Sequence, residues 1–156
     1  YQTNIGSKSD LAKNVASGAY YCEQAKAKYG DGFTSGNATM TTYNKYTPDF
    51  KCSSDGNGKG VVSASVGLLT YDEVVYAGGY YGQENNSYYL YNNTYFWTMS
   101  PAGFASGRSL VWDVYTSGNI DDYYVNGTYA VRAVLNLTDD TLATGSGTSS
   151  DPFVVS

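Results

Sequence analysis

Histidine is absent from this chain of 156 residues, and charged residues make up only 15% of it. Without imidazole there is no Ser-His-Asp or Cys-His nucleophilic pair, no HExxH zinc site and no histidine proton relay. No apolar run approaches the roughly 20 residues that span a bilayer as a helix. The sequence therefore predicts no membrane span. Basic runs are also absent and the net charge is −5, so the sequence predicts no nucleic-acid partner.

The few charges are distributed unevenly along the chain. Residues 1–60 contain all seven lysines and carry a net charge of +2, whereas residues 61–156 contain both arginines with nine acids and carry −7. We therefore expect any surface that attracts cations to lie in the second part of the chain.

The composition predicts one extracellular domain over residues 1–156, because the length fits a single hydrophobic core. Eighteen tyrosines, with abundant Asn, Ser, Thr and Gly, are typical of β-rich extracellular proteins and of binding surfaces. The cysteines are an even pair, Cys22 and Cys52. In a secreted chain a disulfide between them is the first interpretation, contributing roughly 3.5 kcal/mol by loop entropy. Two buried free thiols are the alternative.

Two helices are predicted. Apolar residues at three- and four-residue steps indicate an amphipathic helix over residues 7–30. A second helix is marked by a capping box between Thr70 and Glu73 and by a stop at Gly78 and Gly79.

Short strands and long loops account for the rest of the chain. Strands are predicted at residues 66–69, 95–99, 109–115, 129–137 and 153–156. Loops are predicted at residues 31–65, 80–95 and 115–128. The predicted fold class is α+β, with two helices packed on a small, irregular antiparallel sheet with long loops.

Adjacent acids raise the question of catalysis or metal binding. They form the pairs Asp72-Glu73, Asp121-Asp122 and Asp139-Asp140. Neighbours in a strand point to opposite faces, so no pair alone forms a catalytic dyad. Oxygens for calcium on one loop could come from Asn119, Asp121, Asp122 and Asn126. Because no DxDxDG pattern exists, we expect no metal and no cofactor, with calcium as the alternative, and interpret the acids as solvated turn residues.

One arginine stands within an apolar strand, where it is costly unless a carboxylate pairs with it. We predict that Arg132 forms a structural salt bridge with Asp72 or Glu73, since the capped helix must pack on this sheet; anion binding is the alternative. Trp97 and Trp112 lie in strands with alternating patterns and are predicted to pack in the core.

Tyrosines concentrate in the predicted loops at residues 80–95 and 115–128. The candidate ligand-binding residues are Tyr80, Tyr81, Tyr88, Tyr89, Tyr91, Tyr123 and Tyr124. If all seven side chains were buried, each hydroxyl would need a hydrogen-bond partner inside the protein. We therefore expect some of these tyrosines to lie at the surface. A surface of tyrosines with asparagines suits sugar stacking, peptide contact or subunit packing.

Motifs spread over the whole chain carry a resemblance to a known family. They are YC at 21–22, PDFKC at 48–52, VGLLTYDEV at 66–74, AGG at 77–79, YYLY at 88–91, FWTMSP at 96–101, VNGTYAVRAVLNL at 125–137, GSGT at 145–148 and DPFVV at 151–155. On these residues the chain resembles modules near the C-termini of Gram-positive bacterial surface proteins, some with prepilin-type N-termini. It is also similar to C-type-lectin-like folds related to the formylglycine-generating-enzyme group. The family usually has Gly-Val-Arg-Pro where this chain has Ala130-Val131-Arg132-Ala133.

The resemblance implies a C-type-lectin-like domain at the bacterial cell surface, the C-terminal part of a longer protein, with Cys22 and Cys52 at the family's disulfide positions. It implies no established activity, and the copper-binding cysteines of the enzymatic branch have no counterpart here. We therefore predict a non-catalytic adhesion module that binds a glycan or a host or bacterial surface protein. The alternative is a subunit of a pilus-like filament, with tyrosine patches between copies of the chain. A glycoside hydrolase is a third hypothesis, and it needs two carboxylates within roughly 5–10 Å of each other in a cleft.

Overall fold

A computed structural model describes residues 14–23, 48, 50, 52, 60–139, 143–146, 148, 150, 151, 154 and 155. In this part the chain is mostly β-sheet with one short helix, α1 (Tyr71–Tyr76). The described strands are β1 (Ala19–Glu23), β2 (Gly60–Ala64), β3 (Gly67–Leu68), β4 (Tyr80–Tyr81), β5 (Phe96–Ala105), β6 (Arg108–Val114), β7 (Asn119–Tyr124), β8 (Ala130–Val131), β9 (Ala133–Val134), β10 (Ala143–Thr144) and β11 (Val154–Val155).

The largest sheet has five strands in the order β4-β7-β6-β5-β8. Strands β5, β6 and β7 pair antiparallel, whereas the two edge strands run parallel to their neighbours. The sheet is therefore mixed rather than antiparallel throughout. A two-residue turn joins β5 to β6, with φ of 52° at Ser106 and 75° at Gly107, a backbone twist that suits a tight hairpin.

The predicted strands at 95–99 and 109–115 are confirmed within β5 and β6. Strand β7 falls in the predicted loop 115–128, and that prediction is wrong. Its acidic residues, Asp121 and Asp122, have low strand propensity, so the signal for a strand is weak until the ladder with β6 forms. The predicted strand at 129–137 divides at Arg132, because β8 pairs with β5 while β9 pairs with β3.

The first predicted helix is wrong over residues 19–23, which form β1 and pair antiparallel with β2. Strand β2 in turn lies inside the predicted loop 31–65. Tyr20 and Tyr21 are strong strand formers that follow a helix-breaking glycine, Gly18, and pairing with Ser63 and Val62 outweighs the helical period. Residues 7–13 and 24–30 lie outside the described part. The described fold therefore contains one complete helix where two are predicted.

The second predicted helix is confirmed as α1, which begins with the predicted capping box. The Thr70 hydroxyl accepts a hydrogen bond from the Glu73 N–H at 3.2 Å, and the Thr70 N–H donates to the Glu73 carboxylate at 2.7 Å. The helix ends at Tyr76, and Gly78 follows with φ of 109°, a conformation that glycine adopts without strain.

The core lies between α1 and one face of the five-stranded sheet, here called the inner face. Its fully buried apolar side chains are Tyr71, Val74, Phe96, Ala102, Trp112, Val114 and Ile120. The rings of Tyr71 and Trp112 lie 4.7 Å apart, which fastens the helix to β6. One polar side chain within this layer, Thr98, donates a hydrogen bond from its hydroxyl to the carbonyl of Trp112 at 2.8 Å. The prediction that Trp112 packs in the core is confirmed, whereas the same prediction for Trp97 is wrong, because Trp97 is half-buried on the other face of the sheet.

Cys22 on β1 forms a disulfide with Cys52, and their Cα atoms are 5.5 Å apart. This confirms the disulfide interpretation over two free thiols. With a sequence separation of 30 residues, the loop-entropy estimate gives about 3.5 kcal/mol of stabilisation. The bond ties the β1–β2 ribbon to the segment that carries Phe50.

Candidate binding surface

The five-stranded sheet has a second face, opposite α1, which we call the outer face. Side chains alternate between faces along a strand, and the register places Trp97 beside Asp113 and Asp113 beside Asp121. The residues that the strands and their ends contribute to this face are Tyr95, Trp97, Val111, Asp113, Tyr115, Asn119, Asp121, Tyr123 and Tyr129. One sheet thus separates an apolar core from a surface of rings and acids.

Five rings of the outer face form one continuous cluster, here called the aromatic face: Tyr95, Trp97, Tyr115, Tyr123 and Tyr129. The centroid of the Tyr129 ring lies 4.6 Å from that of Trp97, 5.0 Å from Tyr95 and 5.4 Å from Tyr123. Tyr95 extends the cluster to Tyr115 at 4.9 Å. Tyr129, which directly precedes β8, is therefore its centre.

Two rings of the aromatic face reach across the sheet. Tyr123 is on β7 and Tyr129 precedes β8, with β6 and β5 between them, yet their centroids are 5.4 Å apart. Because neighbouring strands are about 4.8 Å apart, both side chains must lean over the intervening strands. Asp113, the second-last residue of β6 and on this face, is fully buried, whereas Tyr123 is 41% exposed. The rings cover a carboxylate and still present surface to solvent.

The electrostatics of this face are set by its carboxylates. Burial and then the charges of Asp113 and Asp121 raise the pKa of Tyr115. Burial and then Asp113 likewise raise the pKa of Tyr129 well above its ordinary range. The Tyr129 hydroxyl also hydrogen-bonds to that of Tyr115. Because the pKa of each phenol is raised, both are neutral near neutral pH. The potential at their oxygens is negative.

The seven tyrosines predicted to bind a ligand do not form one surface. Four of them lie in the core or pack against it: Tyr81, Tyr88, Tyr91 and Tyr124. Tyr80 is half-buried in β4 and Tyr89 is exposed near α1. Tyr123 alone belongs to the aromatic face. Pairing of β4 and β7 decides this, because successive residues of a strand turn to opposite sides.

Tyr88 is buried, and within the described part its hydroxyl has no hydrogen-bond partner. Burial raises the pKa of Tyr88 to about 12, the nearby Arg132 acts in the opposite direction, and Tyr91 adds to the rise. Because Tyr88 is buried in the core, its phenol is not accessible to a ligand, and we do not include it in the candidate site.

Arg132 contacts a ring and a backbone carbonyl. Its guanidinium lies over the ring of Phe96, 4.7 Å from the centroid, and donates a hydrogen bond to the carbonyl oxygen of Leu90. Burial lowers the pKa of Arg132, while the phenols of Tyr88 and Tyr89 raise it. The quadrupole of the ring and the carbonyl dipole stabilise the half-buried cation.

The predicted ion pair of Arg132 with Asp72 or Glu73 is not among the contacts of Arg132 in the described part of the chain. The carboxylate of Glu73 accepts hydrogen bonds from the N–H and the hydroxyl of Thr70 instead. The capping box therefore holds Glu73 at the start of α1, where helix formation requires it.

A cleft of about 210 Å³ lies between β1, the start of α1 and β5. Asp72 and Glu73 line it together with Tyr20, Tyr21 and Phe50. Glu73 is engaged in the capping box of α1, and Asp72 is buried.

Asp121 and Asp122 point to opposite faces of β7, since their register partners are Asp113 and Trp112. Among the described residues, no group of three or more acidic, cysteine or histidine side chains could hold a metal ion. The described part also contains no helix that is long and apolar enough to cross a membrane.

Four residues of the aromatic face are missing from the sequence-based candidates: Tyr95, Trp97, Tyr115 and Tyr129. Each of them carries a weak signal, since Tyr95 and Trp97 alternate with buried Phe96 along the chain, as Tyr115 does with Val114. Alternation predicts that these side chains share one face of a strand. It does not predict which strands are neighbours, and that decides the cluster.

Comparisons with protein-family models, with curated proteins and with solved structures find no match to this chain. The geometry of the aromatic face therefore carries the functional argument.

Proposed function

We propose that this chain is a non-catalytic, extracellular binding module that recognises a glycan or a protein through its aromatic face. The observation that carries the proposal is the cluster of five rings over two carboxylates on the side of the sheet opposite the core. Rings of Tyr and Trp offer large, rigid contact area at low entropic cost, and carboxylates accept hydrogen bonds from hydroxyl, amide or ammonium groups.

The proposed location outside the cell is supported by the disulfide between Cys22 and Cys52, since such bonds persist in oxidising compartments. The tyrosine-rich, lysine-poor second part of the chain supports it as well. We extend the proposal to a C-type-lectin-like module of a bacterial surface protein, on the motifs quoted above. An experimentally determined structure with another connectivity than that fold would remove this extension and leave the binding proposal in place.

The aromatic face is tested by a binding screen of the purified chain against oligosaccharides and surface proteins. Tyr123→Ala removes the most exposed ring of the face and should weaken binding at least ten-fold, in the range found for aromatic residues at interface centres. Tyr89→Ala is the matched control, because Tyr89 is 62% exposed but lies beside α1, away from this face. Equal loss from both variants, or from neither, would contradict the assignment of the site.

A second candidate function, a subunit of a filament, is favoured by exposed rings near α1. Tyr76 is 75% exposed, Phe50 is 60% exposed, and their centroids lie 5.6 Å apart. A groove of about 520 Å³ between Tyr76 and Tyr89 adds apolar surface from Leu69 and Leu90. Such a patch is suited to packing against another copy of the chain.

Assembly is tested by size-exclusion chromatography at increasing concentration together with electron microscopy of the native material. If the patch is an interface, Tyr76→Ser should abolish ordered assemblies while leaving the unfolding midpoint nearly unchanged. A chain that stays monomeric at high concentration and forms no filaments argues against this second function.

A further inference from the structure

The described part of the chain contains two arginines, and both place their charge over a tyrosine or phenylalanine ring. The guanidinium of Arg108 lies 5.0 Å from the centroid of Tyr124, and that of Arg132 lies 4.7 Å from Phe96. Ring faces carry negative charge density that attracts cations. Rings of this chain are therefore already used to hold cations.

The aromatic face combines the same kind of rings with negatively charged carboxylates. Asp113 lies beneath the rings and Asp121 is half-buried beside it, whereas none of the residues that the described strands contribute to this face is basic. Burial is the largest cause of the raised pKa of Tyr115 and of Tyr129, and the charge of Asp113 adds to the rise at both phenols, with Asp121 also acting on Tyr115. A neutral sugar has no net charge for such a potential to attract, whereas an ammonium or guanidinium group is attracted by it.

Residues 61–156 have a net charge of −7, so attraction at longer range acts in the same direction. Charges outside the contact area mainly accelerate the encounter of the two partners, while contact with the rings stabilises the complex once it has formed. Both features fit a partner that presents several positive side chains along a polypeptide.

We propose that the aromatic face binds lysine or arginine side chains of a polypeptide partner, with the cationic groups over the rings of Tyr123 and Trp97 and beside Asp121. This inference rests on the proposed binding function and narrows its ligand class. Asp113 is fully buried, so it contributes potential without contacting the partner.

The test uses the intact chain and three probes: a short peptide of alternating lysine and glycine, the same peptide with glutamine in place of lysine, and a panel of neutral oligosaccharides. Trp112 is fully buried and Trp97 is half-buried on the aromatic face, so a change in tryptophan fluorescence reports on Trp97. Calorimetry on the same samples gives affinities independently of the fluorophore.

We expect the lysine peptide to bind, the glutamine peptide not to bind, and the affinity to fall as salt rises. Asp121→Asn and Tyr123→Ala should each weaken binding by about five-fold or more, as expected for loss of one charge or cation–π contact. Asp139→Asn is the charge-matched control, because Asp139 is exposed and lies outside the five-stranded sheet. Unfolding curves of each variant establish that it is folded.

The outcomes separate this inference from the function on which it rests. Binding of an oligosaccharide that Tyr123→Ala abolishes, without binding of the lysine peptide, overturns the cationic ligand and keeps the binding module. Lysine-peptide binding that is insensitive to both variants places the site elsewhere and also overturns the inference. If no probe binds and the screen against surface proteins finds no partner that depends on Tyr123, both proposals fail.

Discussion

The two faces of the five-stranded sheet contain the same kinds of rings but surround them differently. On the inner face, Trp112 is sealed between the sheet and α1 among apolar side chains. On the outer face, Trp97 is half-buried among phenols, with Asp113 and Asp121 in register beside it. The comparison teaches that aromatic content alone does not separate core from surface. Cover by α1 does, because the helix and its neighbours exclude solvent from the rings of the inner face.

The largest expected effect on the free energy of unfolding comes from replacing a tryptophan, and the two tryptophans should differ. Trp112→Ala should lower the free energy of unfolding by about 3–5 kcal/mol, because it leaves a cavity between β6 and α1. Trp97→Ala should cost less than half as much, because the site opens to solvent. Urea unfolding followed by circular dichroism measures both, and equal losses would remove the distinction between the faces.

Arg132→Met tests the cation held against the inner face. The variant keeps the contact with Phe96 but leaves the carbonyl of Leu90 without its donor, so a loss of about 1–3 kcal/mol is expected. Glu73→Gln is a useful companion, because it retains most of the capping box and should cost less. If Glu73→Gln proves the more damaging change, an ion pair of Arg132 with that carboxylate regains support.

Tyr123→Ala should reduce stability by only about 1 kcal/mol, the scale of the ring pairs with Tyr124 and Tyr129 that it removes. The same variant should weaken ligand binding at least ten-fold. A large loss of stability would show that the aromatic face is a second core rather than a binding surface, and urea unfolding distinguishes the two.

The smallest effect at neutral pH is expected for Tyr88→Phe, which removes a buried hydroxyl that has no partner among the described residues. The change should be close to zero or slightly stabilising. Above pH 10 the two proteins should diverge. The folded-state pKa of about 12 exceeds the ordinary value of 10.0, so the unfolded chain loses this proton first and stability falls as pH rises from 10 towards 12. Unfolding midpoints between pH 8 and pH 12 should fall less steeply for Tyr88→Phe, and parallel curves would contradict the assignment.

Local sequence signals predict the elements whose stabilising contacts are close in the chain. The capping box places Thr70 and Glu73 one turn apart, so α1 is predictable from residues 70–79 alone. Strands β5 and β6 are predictable for a similar reason, because alternation and turn residues lie within one hairpin. The pairing of the disulfide also follows from the sequence, since a chain with two cysteines has one intramolecular pairing to make.

Elements stabilised by distant partners are not predictable in this way. Strand β1 has a helical pattern and becomes a strand only because β2, some forty residues later, supplies its hydrogen bonds. The aromatic face is likewise decided by tertiary structure: Tyr95 and Tyr129 meet because β8 joins the edge of β5, and Tyr123 reaches them across two strands. The sequence by itself determined the supply of rings and acids, the helix α1 and the cysteine pair. Which rings gather over Asp113, and which are buried beneath α1, was decided by the order of strands in the sheet, because that order depends on contacts between residues far apart in the chain.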